Sequence, residues 1–418
     1  MLASYNDDTV INLIIPLNED IKEMSTSSLR SFELVKNVYW VGARDVGRRL
    51  FDSLIPLPLG TSYNSYLIVD ESIALIDTVN PGFEDELIGR IRSVTDPSRI
   101  DYVIMNHAEP DHAGAIPAVL SIAPRAKLVT TSTGARMAKL FYKVPENRVQ
   151  VVKDGDSITL GKRVLKFIEA PMLHWPETMF TYLLEDKILF TCDFFGAHVA
   201  QGLWSEDVDG IATHAQRYFG EIMMPFRANA LSALKKISEL EVNMIAPSHG
   251  PIYREPKEII DRYWKWARGE VEKKVVIAYV SMWGYTRNIV KSFSDELASE
   301  GINVVLHDLV VADLGDLAKD LVDSSAVVIA TPTVITQAHP LALQFAYLAK
   351  LLRAPTKYAV VIVLYAWGSN ADKQLEEVLK DAKIELVGSI KINVVPDVQA
   401  ANNLKVLAKE LAKRVMSG

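Results

Sequence analysis

Asn106-His107-Ala108-Glu109-Pro110-Asp111-His112-Ala113-Gly114 is the stretch from which the rest of the chain is best read. Four side chains able to ligate a metal stand within six residues, as H-x-E-x-D-H, directly behind the apolar run Tyr102-Val103-Ile104-Met105. A β-strand that ends there releases the backbone into a loop able to wind its side chains around a cation. A helix cannot do this with residues two apart, which do not share a face, and Pro110 argues against helix at this point. The plain alternative is a solvated acidic turn. Imidazole and carboxylate at this density are costly to leave unpaired, which favours the metal.

Working outward, 418 residues exceed one ordinary domain and predict two. A composition of 49% hydrophobic and 23% charged residues is that of a soluble globular protein with ample core. The net charge of −7 recommends neither nucleic acid nor an anionic membrane as partner. Cys192 is the single cysteine. It excludes an internal disulfide and a fused rubredoxin-type or iron–sulfur module, which takes about four. The run Val10-Ile11-Asn12-Leu13-Ile14-Ile15 is too short for a signal sequence, and no apolar stretch approaches the roughly 20 residues of a membrane span. A cytoplasmic location is expected.

Residues 1–34 read as an N-terminal extension. From Val38-Tyr39-Trp40-Val41 onward, short apolar strands alternate with turns: Ser65–Val69, Ile73–Asp77, the run ending at Met105, and Lys127–Thr131. Phe83, Leu87, Ile91 and Val94 predict a helix over 82–94, and a second is expected over 115–121. Lys153-Asp154-Gly155-Asp156 and Glu185-Asp186-Lys187 read as hairpin turns. Stacked sheets with helical outer layers follow for residues 35–268. Past Arg268 the texture changes to continuous β-branched runs, Val275–Val280, Asn303–Leu306, Ala326–Ala330 and Tyr358–Leu364, each separated by a helix-length segment. Strands buried on both faces and alternating with helices predict a doubly wound parallel sheet over 269–418.

The loop at His107 supplies part of a site. His174 in Pro171–Pro176 and His249 in Ala246–Pro251 both follow strand-like segments among Pro and Gly, and Asp193 ends the strand Ile188–Cys192. Singly, each reads as a structural polar residue; beside H-x-E-x-D-H they make two neighbouring half-sites. In the second domain the first strand runs into Ser281-Met282-Trp283-Gly284-Tyr285-Thr286, and a helix follows from Arg287. A hydroxyl-rich, glycine-containing turn opening a helix is a phosphate cradle. Thr331-Pro332-Thr333-Val334 leaves the third parallel strand and Tyr365-Ala366-Trp367-Gly368-Ser369-Asn370 the fourth, at the switch point of such a sheet.

The series H-x-E-x-D-H, His174, Asp193, His249 resembles the binuclear site of the metallo-β-lactamase fold, whose dizinc hydrolases carry H-x-H-x-D-H. Here Glu109 replaces an imidazole, which shifts preference from zinc toward iron. The pattern S-x-x-G-x-T resembles the flavodoxin FMN-phosphate loop and lacks the P-loop lysine. Together these features resemble the flavodiiron proteins over nearly everything after residue 35. The resemblance implies an αββα sandwich followed by a flavodoxin-like domain. It implies one iron on His107, Glu109 and His174, another on Asp111, His112 and His249, and Asp193 bridging them about 3.5–4 Å apart. Trp175 and Tyr218 are candidates to pack around the ligands, and His198 and His214 candidate proton donors. Tyr285, Ser369 and Asn370 stand where the flavodoxin pattern favours small residues.

The activity implied is reduction of O2 to water, of NO to N2O, or both, with FMN as relay. Two electrons from a diferrous pair and two from the flavin match the four that dioxygen needs. The donor implied is external, rubredoxin or reduced coenzyme F420. A head-to-tail homodimer, or a dimer of dimers, would set one subunit's FMN beside the other's irons. Two rival readings remain: a dizinc hydrolase whose flavodoxin-like half is an interaction module, and an electron-transfer flavoprotein with a vestigial metal site.

Overall fold

The computed structural model describes residues 29–394 and 396–417, so residues 1–28 of the expected extension lie outside the described part. The rest of that extension is not accessory: Phe32–Val35 is the edge strand of a sheet and pairs with Val38–Trp40. This sheet has seven strands, continuing through Tyr66–Val69, Ile73–Ile76, Ile100–Ile104, Lys127–Thr130 and Val149–Val151. It is antiparallel up to Ile73–Ile76 and parallel beyond. A second sheet has five strands, Ser157–Thr159, Val164–Glu169, Met179–Leu183, Ile188–Cys192 and Met244–Pro247. Trp40, Ile68, Ile76 and Val129 from the first meet Phe167, Met179, Phe190 and Ala246 from the second in one buried layer. Period-two alternation toward that layer is what closes a sandwich. Helices Glu84–Arg92, Ile116–Ile122 and Ser132–Tyr142 cover the outer face of the seven-stranded sheet through Leu87, Ile91, Val119 and Ala138.

The turn at Lys153–Asp156 is not a hairpin. Val149–Val151 before it pairs in the seven-stranded sheet, and Ser157–Thr159 after it pairs in the five-stranded one, so the turn carries the chain across the sandwich. Its local chemistry, with Asp156 Oδ2 accepting the Lys153 N–H at 2.8 Å, is the same in either case. Glu185–Lys187 does join the antiparallel strands Met179–Leu183 and Ile188–Cys192.

The helix Lys257–Arg268 ends on Gly269 in left-handed backbone (φ 69°), and the next strand belongs to a third sheet. Its parallel strands run in the order Asn303–Asp308, Glu272–Tyr279, Ser324–Val334, Tyr358–Tyr365, Glu385–Asn393, a doubly wound topology. Two details differ from expectation. Asn303–Asp308 is an edge strand with Leu306 48% exposed, not a strand buried on both faces. Thr331–Val334 stays in the third strand and does not leave it, turning back through Gln337–Ala338. Pro332 is tolerated there because the neighbouring strand stops pairing at Ala330, leaving an open edge where a missing N–H costs little. Among the described residues no helix is long and apolar enough to cross a membrane.

The two parts of the chain share a core. A single buried cluster takes in Tyr218, Phe219 and Tyr263 from the first part and Leu321, Val327 and Phe345 from the second. Gly220, in the π-helical turn Phe219–Met223, lies against the helix Leu314–Leu321, where a Cβ would come within 2.6 Å of the Ala318 carbonyl oxygen. Across the same seam Arg217 donates to Asp313 at 2.8 Å, and on its own side it donates to Glu221, four residues on, at 2.9 Å.

Candidate metal centre and flavin cleft

Strand Ile100–Ile104 delivers His107 to one end of the sandwich, and the residue before the ligand loop is clamped. Asp77, just past the neighbouring strand, accepts both the Asn106 N–H at 2.8 Å and its side-chain amide at 2.9 Å, while Thr181 donates to Asn106 Oδ1 at 2.7 Å. Burial pushes the Asp77 carboxyl up to about 6, against the pull of His112 and Asn106. Beyond His107 the expectation of a helix-free loop is corrected: Pro110–Ala113 is a single helical turn. Pro110 occupies its first position, where the lost N–H has no intrahelical partner in any case. The turn sends Asp111 and His112 inward, both buried.

The structure brings all seven candidate ligands together. His107, Glu109, His174 and Asp193 offer ligand atoms within 4.8 Å of one another, and so do Asp111, His112 and His249. Asp193 stands between the groups. Its Oδ2 lies 3.5 Å from His107 Nε2 and 3.6 Å from His174 Nε2; its Oδ1 lies 3.0 Å from His112 Nε2 and 3.5 Å from His249 Nε2. Glu109 Oε2 closes the first group at 3.2 Å from His107 and 3.0 Å from His174. Asp111 closes the second, 3.3 Å from His112 and 3.2 Å from His249.

Mutual proximity decides the charges. Burial alone would lower His112, but Asp111 and Asp193 raise it to about 9. Burial alone would raise Asp111 and Asp193, yet His112 leads the histidines that hold both carboxyls below the usual range. Asp111 Oδ1, His112 Nε2 and Asp193 Oδ2 are nevertheless buried without a well-aligned hydrogen-bond partner. Buried polar atoms of this kind call for a ligand, and a mixed carboxylate–imidazole set suits two iron ions.

The surroundings sort the remaining candidates. The Trp175 ring stands edge-on to His107 at 5.0 Å and to His174 at 6.1 Å. Tyr218 donates to Asp193 Oδ1 at 2.8 Å. His198 lies 5.0 Å, ring to ring, from His249. For His214, burial and then the nearby charges of Arg217 and Lys319 depress its pKa. It belongs to neither group of ligand candidates, although it stands one helical turn before Tyr218 on the helix Ile211–Tyr218. Two residues escaped the sequence reading. Glu177 Oε1 accepts from His107 Nδ1 at 2.6 Å, and Thr61 Oγ1 lies 3.2 Å from His249 Nδ1. The available signal for Glu177 was an acid followed by the buried strand Met179–Leu183.

In the third sheet, a cleft of about 290 Å³ opens where the strands Glu272–Tyr279, Ser324–Val334 and Tyr358–Tyr365 end. Ten of the expected residues line it: Met282, Trp283, Tyr285, Thr286, Pro332, Thr333, Tyr365, Ala366, Trp367 and Gly368, joined by Leu364 and Val394. Ser281, Gly284, Thr331, Val334, Ser369 and Asn370, also expected, are not among the residues lining it. Ser281 Oγ accepts the Arg287 N–H at 3.2 Å, Gly284 (φ 88°) opens the helix Tyr285–Ser299, and Ser369 Oγ lies 2.8 Å from Thr333 Oγ1. The helix thus begins two residues earlier than expected. Trp283 and Trp367 are 81% and 85% exposed, a large aromatic surface that a planar ring would cover. A flat aromatic cofactor with an anionic tail at the helix N-terminus fits this cleft.

Fold and site together define a two-metal sandwich joined to a flavodoxin-like sheet. A sequence family described as ODP family beta lactamase matches residues 61–250. The chain is 40% identical over 362 residues to the nitric oxide reductase of Moorella thermoacetica, covering 85% of this chain and 90% of that one. It is 31% identical over 406 residues to the coenzyme F420H2 oxidase of Methanocaldococcus jannaschii, covering 92% and 97%. It also matches the structure of rubredoxin oxygen:oxidoreductase from Desulfovibrio gigas with a TM-score of 0.89 at 29% identity, covering 93% and 99%. The chain belongs to the flavodiiron protein family. These matches run through both sheets systems and are to oxidoreductases, so the hydrolase and the vestigial-site readings fall.

Proposed function

We propose that this chain reduces dioxygen to water, nitric oxide to nitrous oxide, or both, at two iron ions, with FMN relaying electrons from an external donor. When bound, the irons and flavin supply the electron-transfer chemistry that side chains lack. His107, Glu109 and His174 would hold one iron, Asp111, His112 and His249 the other, and Asp193 would bridge them. The observation that carries the reading is the Asp193 carboxylate, one oxygen turned to each histidine group. Tyr218 fixes that carboxylate by donating to it, Glu177 orients His107, and the Trp175 ring shields His107 and His174 from solvent. FMN would lie in the cleft beside Trp367, its phosphate at the turn 281–286. In this reading residues 35–268 form the iron-binding domain and 269–418 the FMN-binding domain.

Two apolar rims support a head-to-tail dimer or dimer of dimers. Met282, Trp283, Ile335 and Trp367 are exposed around the flavin cleft, and Val46, Leu50 and Leu54 near the cavity over the metal ligands. Pairing them would bring one subunit's flavin to the other's irons. The single cysteine supports a cytoplasmic location.

The test is rapid mixing of the reduced protein with O2 and, separately, NO, using rubredoxin or reduced F420 as donor. Fast flavin reoxidation by at least one gas is expected, and the faster donor is the physiological class. Purified protein that holds zinc and lacks a yellow chromophore would refute the proposal.

A further inference from the structure

We propose that His198 is the hydrogen-bond donor this centre offers to a small bound ligand, and that Thr61 sets the tautomer that makes it one. The inference rests on the diiron reading and adds a residue outside the ligand set. A cavity of about 180 Å³ reaches both histidine–carboxylate groups, with Glu109, Asp111, His249 and His198 on its wall.

The tautomer follows from a chain of three contacts. His249 Nδ1 lies 2.7 Å from the Ser62 carbonyl oxygen. A carbonyl only accepts, so that nitrogen carries the proton. Thr61 Oγ1, 3.2 Å from the same nitrogen, therefore accepts from it and keeps its own proton to donate. The nearest acceptor is His198 Nδ1 at 3.0 Å; the Ser62 carbonyl is farther, at 3.4 Å. His198 accordingly accepts at Nδ1 and bears its proton on Nε2. That Nε2 is buried and has no hydrogen-bond partner. Phe51 at 4.9 Å and Tyr218 at 4.8 Å, ring to ring, hold the imidazole in place.

A fixed N–H beside the cavity favours ligands whose outer atom carries negative charge, because charged acceptors make the stronger hydrogen bonds. The class is therefore small linear anions and diatomic molecules that gain electron density on reduction. Azide is its unreactive member and serves as the probe. Thr61 acts through His198 and is a positioning residue.

The test titrates oxidised, iron-loaded, FMN-containing protein with azide and follows the absorption band that azide adds. His198→Leu should keep iron and flavin and bind azide about tenfold more weakly. His198→Gln, whose amide can donate, should stay within about threefold of the unaltered protein. Thr61→Val should weaken azide binding in the same direction with iron retained. Equal affinity in His198→Leu overturns the proposal, and so does a His198→Gln protein as weak as His198→Leu. If His198→Leu loses iron, unaltered azide affinity in Thr61→Val overturns it and a weakened one upholds it. Unaltered protein that holds no iron would instead overturn the diiron reading beneath.

Discussion

Glu177 Oε1 accepts a 2.6 Å hydrogen bond from His107 Nδ1, and the same oxygen accepts the Ala108 N–H at 2.8 Å. Both side chains are buried. The contact puts the His107 proton on Nδ1 and leaves the Nε2 lone pair facing Glu109 and Asp193. Glu177→Gln keeps the volume and removes the charge that makes His107 a strong base. Iron affinity should fall about 10–100-fold while FMN stays bound. Chelator competition followed by iron and flavin analysis checks this, and unchanged iron retention would discount the contact.

Asp193→Ala removes the group shared by both histidine sets. It should abolish assembly of the iron pair and leave FMN in place. The measurement is metal content against flavin absorbance, and retained O2 or NO reduction would refute the bridging role.

Gly220→Ala tests the seam between the two parts of the chain. The added Cβ would meet the Ala318 backbone at 2.6 Å, which no side-chain rotation can relieve. Overpacking of this kind costs about 1–3 kcal/mol. A lower denaturation midpoint with an unchanged flavin spectrum is expected from chemical unfolding.

Glu221 gives the same seam a pH dependence. Burial pushes its carboxyl up to about 8, against the pull of Arg217. A carboxyl raised in the folded state binds more protons there than when unfolded. Its contribution is complete below the ordinary glutamate range and is lost as pH rises through about 8. Melting temperature should therefore fall between neutral and mildly alkaline pH, and Glu221→Gln should flatten that fall. A slope unaffected by the substitution would assign the effect to other groups.

Trp367→Ala probes the flavin cleft. Loss of an 85% exposed indole that lines it should weaken FMN binding about tenfold. Titration of FMN into flavin-depleted protein, read by flavin fluorescence, gives the ratio, and an unchanged affinity would move the ring elsewhere.

The ligand candidates were legible because each sits where a strand or its following turn meets Pro, Gly or a charged residue, and carboxylates and imidazoles are conspicuous there. Glu177 and Thr61 were not, because their roles depend on contacts 70 and 188 residues away in the chain. The first four parallel strands of the third sheet stood out as β-branched runs, while Glu385–Asn393 was hidden by Gly388, Ser389 and Lys391. The turn at Lys153–Asp156 carries the same local signal whether it pairs its flanks or separates them.

The buried cluster that runs from Phe51 to Ile384 has a mechanical consequence. Gly269 joins the two parts of the chain, yet the apolar seam behind it allows no swing about that residue. Each polypeptide is a stiff body with its cleft and its carboxylate nest at a fixed separation. Any traffic control over electrons must then come from side-chain rearrangement or from how separate copies meet, and severing the backbone at Gly269 would bare to water the apolar side chains that meet along the seam.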